Sequence, residues 1–179
     1  PAISMRLWAE ERKTGTIELL MTLPVSTTQA VLGKFLAAWA FSGIALALTF
    51  PMWISVNVLG DPDNGVIAAS YIGSFVMAGA FLAIGSCISA LTKNQVIAFI
   101  VAAAVCFLFT MSGLELVLNF FRLWAPDVLV DTIASMSFLS HFRAITQGVI
   151  DFRDVVYFAS LITFFLFANV VAIDAKKGT

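Results

Sequence analysis

Residues 66–91 read VIAASYIGSFVMAGAFLAIGSCISAL, with no Asp, Glu, Lys, Arg or His anywhere in the run. A helix rises about 1.5 Å per residue, so about 20 apolar residues cross a hydrocarbon core of about 30 Å. This run passes that test with enough length left over to tilt. A water-soluble helix of the same length would need a polar face, and this one has none. Its small residues recur at helical spacing. Gly79 and Ala83 are four apart, as are Gly85 and Ser89. Such pairs let helix backbones approach closely. They suit a helix beside a translocation path or dimer face, and equally well ordinary packing between helices.

Working outward, three more runs have the same character: 35–59, 96–118 (interrupted only by Glu115 near its end) and 155–173. The punctuation agrees. Gly60-Asp61-Pro62-Asp63-Asn64-Gly65 is a turn signal. Thr92-Lys93-Asn94-Gln95 is a minimal polar hairpin. Asp151 and Asp154 have the spacing of an N-cap and its third-position partner before the last run. Pro51 predicts a kink within the first run. Asn57 and Asn169, polar but uncharged, suit hydrogen bonds between helices. The whole chain fits this reading: 60% of its 179 residues are hydrophobic and 12% charged, and the mean hydropathy is +0.98. A soluble domain is about half apolar and about a quarter charged. The expected fold is an all-α integral membrane protein with four transmembrane helices.

Lys and Arg set the orientation. With the N-terminal segment in the cytoplasm, Arg6, Arg12, Lys13, Lys34, Lys93, Lys176 and Lys177 all lie inside, and only Arg122, Arg143 and Arg153 lie outside. That is the positive-inside pattern. Two domains follow: a cytoplasmic segment 1–34, and a membrane domain 35–179 with an outer segment 119–154. The outer segment mixes Trp124, Phe138, Phe142 and Ile145 with Arg122, Asp127, Asp131, His141 and Arg143. Too polar to span and too apolar for a free loop, it suits short interfacial or partly re-entrant helices. The chain opens with Pro1 and runs straight into charge, which reads as an N-terminal truncation.

The missing residue types narrow the function. Stretches 35–60, 66–92, 94–114 and 155–173 hold no Asp, Glu, Lys, Arg or His. Ion-coupled transporters place such groups at mid-membrane, so these spans argue against ion coupling. The aspartyl and metal classes of intramembrane protease go with them. His141, the sole histidine, reads as a polar surface or capping residue rather than a catalytic one. Cys87 and Cys106 sit in apolar runs without metal-ligand spacing and read as packing residues. Gly33-Lys34 lacks the preceding glycine of a phosphate-binding loop, so no nucleotide site is expected, and Lys34 reads as a snorkelling residue. A net charge of -1 gives no reason to expect a nucleic-acid partner. No cofactor and no metal are expected on this chain, and no catalytic residue.

The segment before the first span is the most informative functionally. Glu10-Glu11-Arg12-Lys13 is charged. Thr14 and Gly15 open a short helix that runs through Thr16, Ile17, Glu18, Leu19, Leu20, Met21, Thr22 and Leu23 and stops at Pro24. Ile17, Leu20 and Met21 fall on one side. Ser26-Thr27-Thr28-Gln29 then matches a capping box that starts a new helix. A short apolar-faced helix outside the membrane suits docking into a groove on a soluble partner, or resting on the lipid surface.

These residues carry a resemblance. Met5 through Glu11, Thr14 through Ser26 and Leu32-Gly33-Lys34-Phe35-Leu36 resemble the cytoplasmic signature of ABC type-2 (ABC-2) transporter permeases, and most nearly the permeases of the gliding-motility type. Phe81-Leu82-Ala83-Ile84-Gly85, Leu91 to Gln95, Phe138 to Phe142 and Gly148 to Asp154 extend the likeness along almost the whole chain. The resemblance implies six spans, two of them preceding Pro1, and a multi-pass place in the bacterial inner (plasma) membrane. It implies a coupling helix at 15–24 resting on a separate ABC ATPase subunit, which carries ATP and Mg. It further implies a second permease chain, identical or not, with the translocation pathway at their interface, and transport by export. A membrane scaffold without transport, or an ion-coupled transporter, are the other function classes to weigh.

Overall fold

The computed structural model describes residues 3–146 and 152–176. Among them every regular element is helical. The chain enters through a 3-10 turn, Ser4–Arg6, followed by α1 (Ala9–Thr14) and α2 (Thr16–Thr22). Next come α3 (Thr27–Ala47), α4 (Phe50–Leu59), α5 (Asn64–Leu91) and α6 (Gln95–Met111). The outer segment forms α7 (Glu115–Arg122), α8 (Asp127–Ser135) and α9 (Phe138–Thr146), and α10 (Phe152–Lys176) closes the chain.

The helix starts follow local chemistry. The Ser26 hydroxyl accepts from the Gln29 amide at 3.2 Å, while the Gln29 side-chain oxygen accepts from the Ser26 amide at 2.9 Å. This is the reciprocal capping box expected there. Asp63 caps α5 through the Gly65 amide at 3.0 Å, and Asn94 caps α6 through the Val96 amide at 2.9 Å. Asp151 lies outside the described residues.

Among the described residues, three helical lengths are long and apolar enough to cross a membrane: Thr27–Leu59, Asn64–Leu91 and Phe152–Lys176. The first is interrupted at Leu48 and Thr49, and Pro51 occupies the first turn of α4. There its missing N–H costs nothing, so the chain breaks and restarts rather than kinking around a mid-helix proline. The run 96–118 is not one straight helix. α6 ends at Met111, and α7 leaves at 74° to it. Ser112 turns its hydroxyl back to the Phe109 carbonyl at 3.0 Å, Gly113 is buried in the bend, and Glu115 opens α7. A carboxylate in the first turn favours that helix start and keeps it near water. Counted as one bent pair, these helices bring the candidate spans to four.

α5 is the hub. It packs against α3, α6, α9 and α10, and its inner end receives the N-terminal turn and α1. Glycines admit the neighbours. A Cβ on Gly79 would come within 2.7 Å of the Trp39 ring, and one on Gly73 within 2.7 Å of the Ile145 side chain. The first contact seats α3 and the second seats α9, whose Ile145 is buried. Two apolar clusters result. One joins Trp8, Val31, Phe35, Leu82, Ala83 and Ile173 at the inner end. The other joins Ala69, Ala80, Ile84, Cys106, Ile145 and Phe158 further along.

Candidate functional site

The segment ahead of α3 is built onto the inner end of α5. Trp8 and Ala9 stand at the start of α1, where backbone N–H groups have no partner within the helix. Both donate to the Ser89 hydroxyl, at 3.0 and 2.9 Å, and Ser89 donates in turn to the Met5 carbonyl at 2.9 Å. One buried serine on α5 thus caps a helix far away in sequence. The last carbonyls of α5 are met by cations. Arg12 donates to the Ala90 carbonyl at 2.7 Å and Lys176 to the Leu91 carbonyl at 2.8 Å. Positive charge at a helix C-terminus opposes its dipole favourably.

Lys34 does more than snorkel. Its ammonium donates to the Leu7 carbonyl at 2.8 Å, pairs with Glu11 at 2.5 Å and lies 4.9 Å from the centre of the Trp8 ring. It binds α3 to α1. Thr27, at the first position of α3, donates to Asp174 of α10 at 2.7 Å. The helices α1, α3, α5 and α10, together with the 3-10 turn, are therefore tied to one another at one end of the bundle. The sequence signal for this was faint: a single Ser in a small-residue face, and a Lys and a Glu far apart in the chain.

α2 projects from that tied base. Gly15 has φ of +79°, the left-handed conformation that ends α1 and turns the chain into α2. A side chain at Gly15 would strain that turn. At the other end Leu23 is extended and Pro24 follows, closing the helix after two turns. Ile17 and Leu20 are half-buried and pack against the inner cluster. Thr16, Glu18, Leu19, Leu23 and Pro24 face outward, with Leu19 69% and Leu23 53% exposed. The Met21 side chain lies outside the described part of the structure. Of the side expected to dock (Ile17, Leu20 and Met21), Ile17 and Leu20 are engaged within the chain, and among the described side chains of α2 and its end Leu19 and Leu23 are exposed apolar ones.

The small residues of α5 are also occupied by the chain itself. Gly79 meets Trp39, Ala83 and Gly85 are buried, and Ser89 caps α1. Of the two asparagines within the apolar runs, Asn57 and Asn169, the latter donates from α10 to Ser86 of α5 at 2.6 Å, a bond between helices. Asn57 donates instead to the Trp53 carbonyl of its own helix at 2.9 Å.

At the other end of the bundle His141 is largely buried. Its Nδ1 lies 2.5 Å from the Asp154 carboxylate, and its Nε2 lies 2.6 Å from the Ser135 carbonyl. The ring stacks on Tyr157 with centroids 3.9 Å apart. The sequence reading offered a polar surface or capping residue and did not say which helix end His141 would meet. The partnership with Asp154, which reads locally as a helix-start residue, was not legible there.

Long apolar helices, a cationic inner rim and a small exposed helix beneath it define a multi-pass membrane protein. The family profile described as ABC-2 family transporter protein matches residues 2–173, and the chain belongs to that family. Membership makes it a membrane subunit of an ABC transporter, a permease. A search of curated proteins finds no match.

Proposed function

We propose that this chain works as one permease half of an ATP-driven exporter in the plasma membrane. α2 is the coupling helix through which a separate ABC ATPase subunit moves it. ATP and Mg are held by that subunit, and a second permease chain completes the pathway. The six-span pattern and the gliding-motility type rest on the resemblance of the signatures at 5–26 and 32–36.

One observation carries the reading. α2 is held by Ile17 and Leu20 against the core shared by α3, α5 and α10, yet exposes Leu19 and Leu23. A surface that is to transmit motion must be stiff on one side and free on the other. A helix lying in a groove offers apolar anchors of this kind. Pushing on Leu19 and Leu23 would be felt through Ile17 and Leu20 in the inner cluster, to which α3, α5 and α10 all contribute. Rigid-body rotation of packed elements is the usual form of such a transition.

The test is Leu19→Asp in the full-length chain. Leu20→Asp serves less well, because Leu20 packs inside the chain. With membrane insertion unchanged, Leu19→Asp should release the ATPase subunit on co-purification and lower transport at least about tenfold, the effect of about 1.4 kcal/mol at an interface. Retention of both partner and transport would sink the docking role of α2.

A further inference from the structure

We propose that His141 and Asp154 form a proton-binding site, and that the bound proton latches the turn between α8 and α9 onto α10. The inference does not depend on the transport reading.

Consider where the protons must be. A carbonyl oxygen only accepts, so Nε2 of His141 must carry the hydrogen that it gives to Ser135 at 2.6 Å. Nδ1 then faces a carboxylate oxygen at 2.5 Å. Two lone pairs cannot meet at that distance, so one proton lies between Nδ1 and Asp154. Whether it is written on the imidazole or on the carboxyl, the pair holds one proton more than a neutral histidine and a free carboxylate. With it the pair carries no net charge. Without it, a negative charge would remain on a side chain only 7% exposed. The second oxygen of Asp154 is already buried without a hydrogen-bond partner. An unpaired buried charge is expensive, and the site relieves it by opening.

Among the described residues, the charged side chains of α8, of α9 beyond His141 and of the first turn of α10 beyond Asp154 are exposed. α5 and α6 carry no Asp, Glu, Lys, Arg or His, and Tyr71 of α5 is bonded to Thr49 at 2.7 Å. α8 brings Asp127 and Asp131, both exposed, α9 brings exposed Arg143, and α10 brings exposed Arg153 beside Asp154 and Tyr157. The Tyr157 hydroxyl donates to the Met136 carbonyl, next to Ser135, and Ser137 donates to the Thr110 carbonyl of α6 at 3.3 Å. Residues 135–137 are therefore held to α6, α9 and α10 at once, and among the described links of that clamp the His141 contact is the one that both donates to a carbonyl and shares a proton with a carboxylate. Loss of the proton forces a choice. A histidine that keeps its hydrogen on Nε2 repels Asp154, and one that moves it to Nδ1 releases Ser135. Either way the latch loosens as pH rises.

The experiment is hydrogen exchange on the full chain in lipid nanodiscs, corrected for the intrinsic pH dependence of exchange. Protection of the amides at 133–143 and 152–158 should fall about tenfold as the pH is raised from about 5 to about 9, a span covering the usual histidine range. His141→Gln, which cannot titrate, should give a flat profile. Asp154→Asn, whose amide can donate to Nδ1 of a neutral His141, removes the repulsion, so protection should be retained across the range and the profile should again be flat. A flat profile in the unsubstituted chain, or an unchanged transition in His141→Gln, overturns the proposal.

Discussion

In their apolar 18-residue windows α5 and the α3–α4 length are nearly equal in hydropathy, at 1.9 and 1.8, yet 56% of the first window is buried inside the chain and only 17% of the second. Hydropathy tells a helix that it belongs in a bilayer and does not tell it what to touch there. Lipid tails are as apolar as Leu or Val, so a membrane helix gains little by trading lipid for protein unless backbones come close or polar groups pair. α5 has the means: Gly73 and Gly79 for approach, and Ser86 and Ser89 for pairing. α4 has Met52, Val58 and Leu59 facing outward and buries no residue.

The hardest blow to this contrast should be Gly79→Phe. Its ring must occupy space held by Trp39, whose indole also donates to the Phe75 carbonyl at 2.8 Å. Overpacking costs about 1–3 kcal/mol, and more where backbone must shift. Unfolding in mixed micelles should show a loss of about 3 kcal/mol. Anything near zero would mean that α3 and α5 are not in close contact. Ser89→Ala comes next. It leaves the Trp8 and Ala9 amides buried without a partner, a cost of about 1–3 kcal/mol. The same unfolding measurement, together with faster proteolysis ahead of α3, would report it. Smallest of all should be Val58→Ala, on a side chain 79% exposed, with an effect within about 0.5 kcal/mol. A large loss there would reveal that α4 packs against something beyond this chain.

Much of the architecture was legible in residue order. The capping box at Ser26, the turn at 60–65 and the hairpin at 92–95 each depend on neighbours within a few residues, and local rules reach that far. The bend between α6 and α7 was harder. Glu115 was visible as an interruption, but a single charge does not state whether a helix continues past it. In α2 the sequence supplied the helix and its limits, while its apolar face was assigned outward. The structure turns Ile17 and Leu20 inward against a cluster to which Trp8, α3, α5 and α10 all contribute.

Composition and charge placement by themselves determined that this chain is a multi-pass helical membrane protein, since no soluble globule could bury so much apolar surface. The signatures at 5–26 and 32–36 pointed to its family. Tertiary structure alone decided that Ser89 caps α1, that Lys34 joins Glu11, and that His141 meets Asp154. Each of those contacts joins separate helices, and a polar residue in a membrane bundle takes whichever partner the packing brings within about 3 Å, a choice that sequence spacing does not encode.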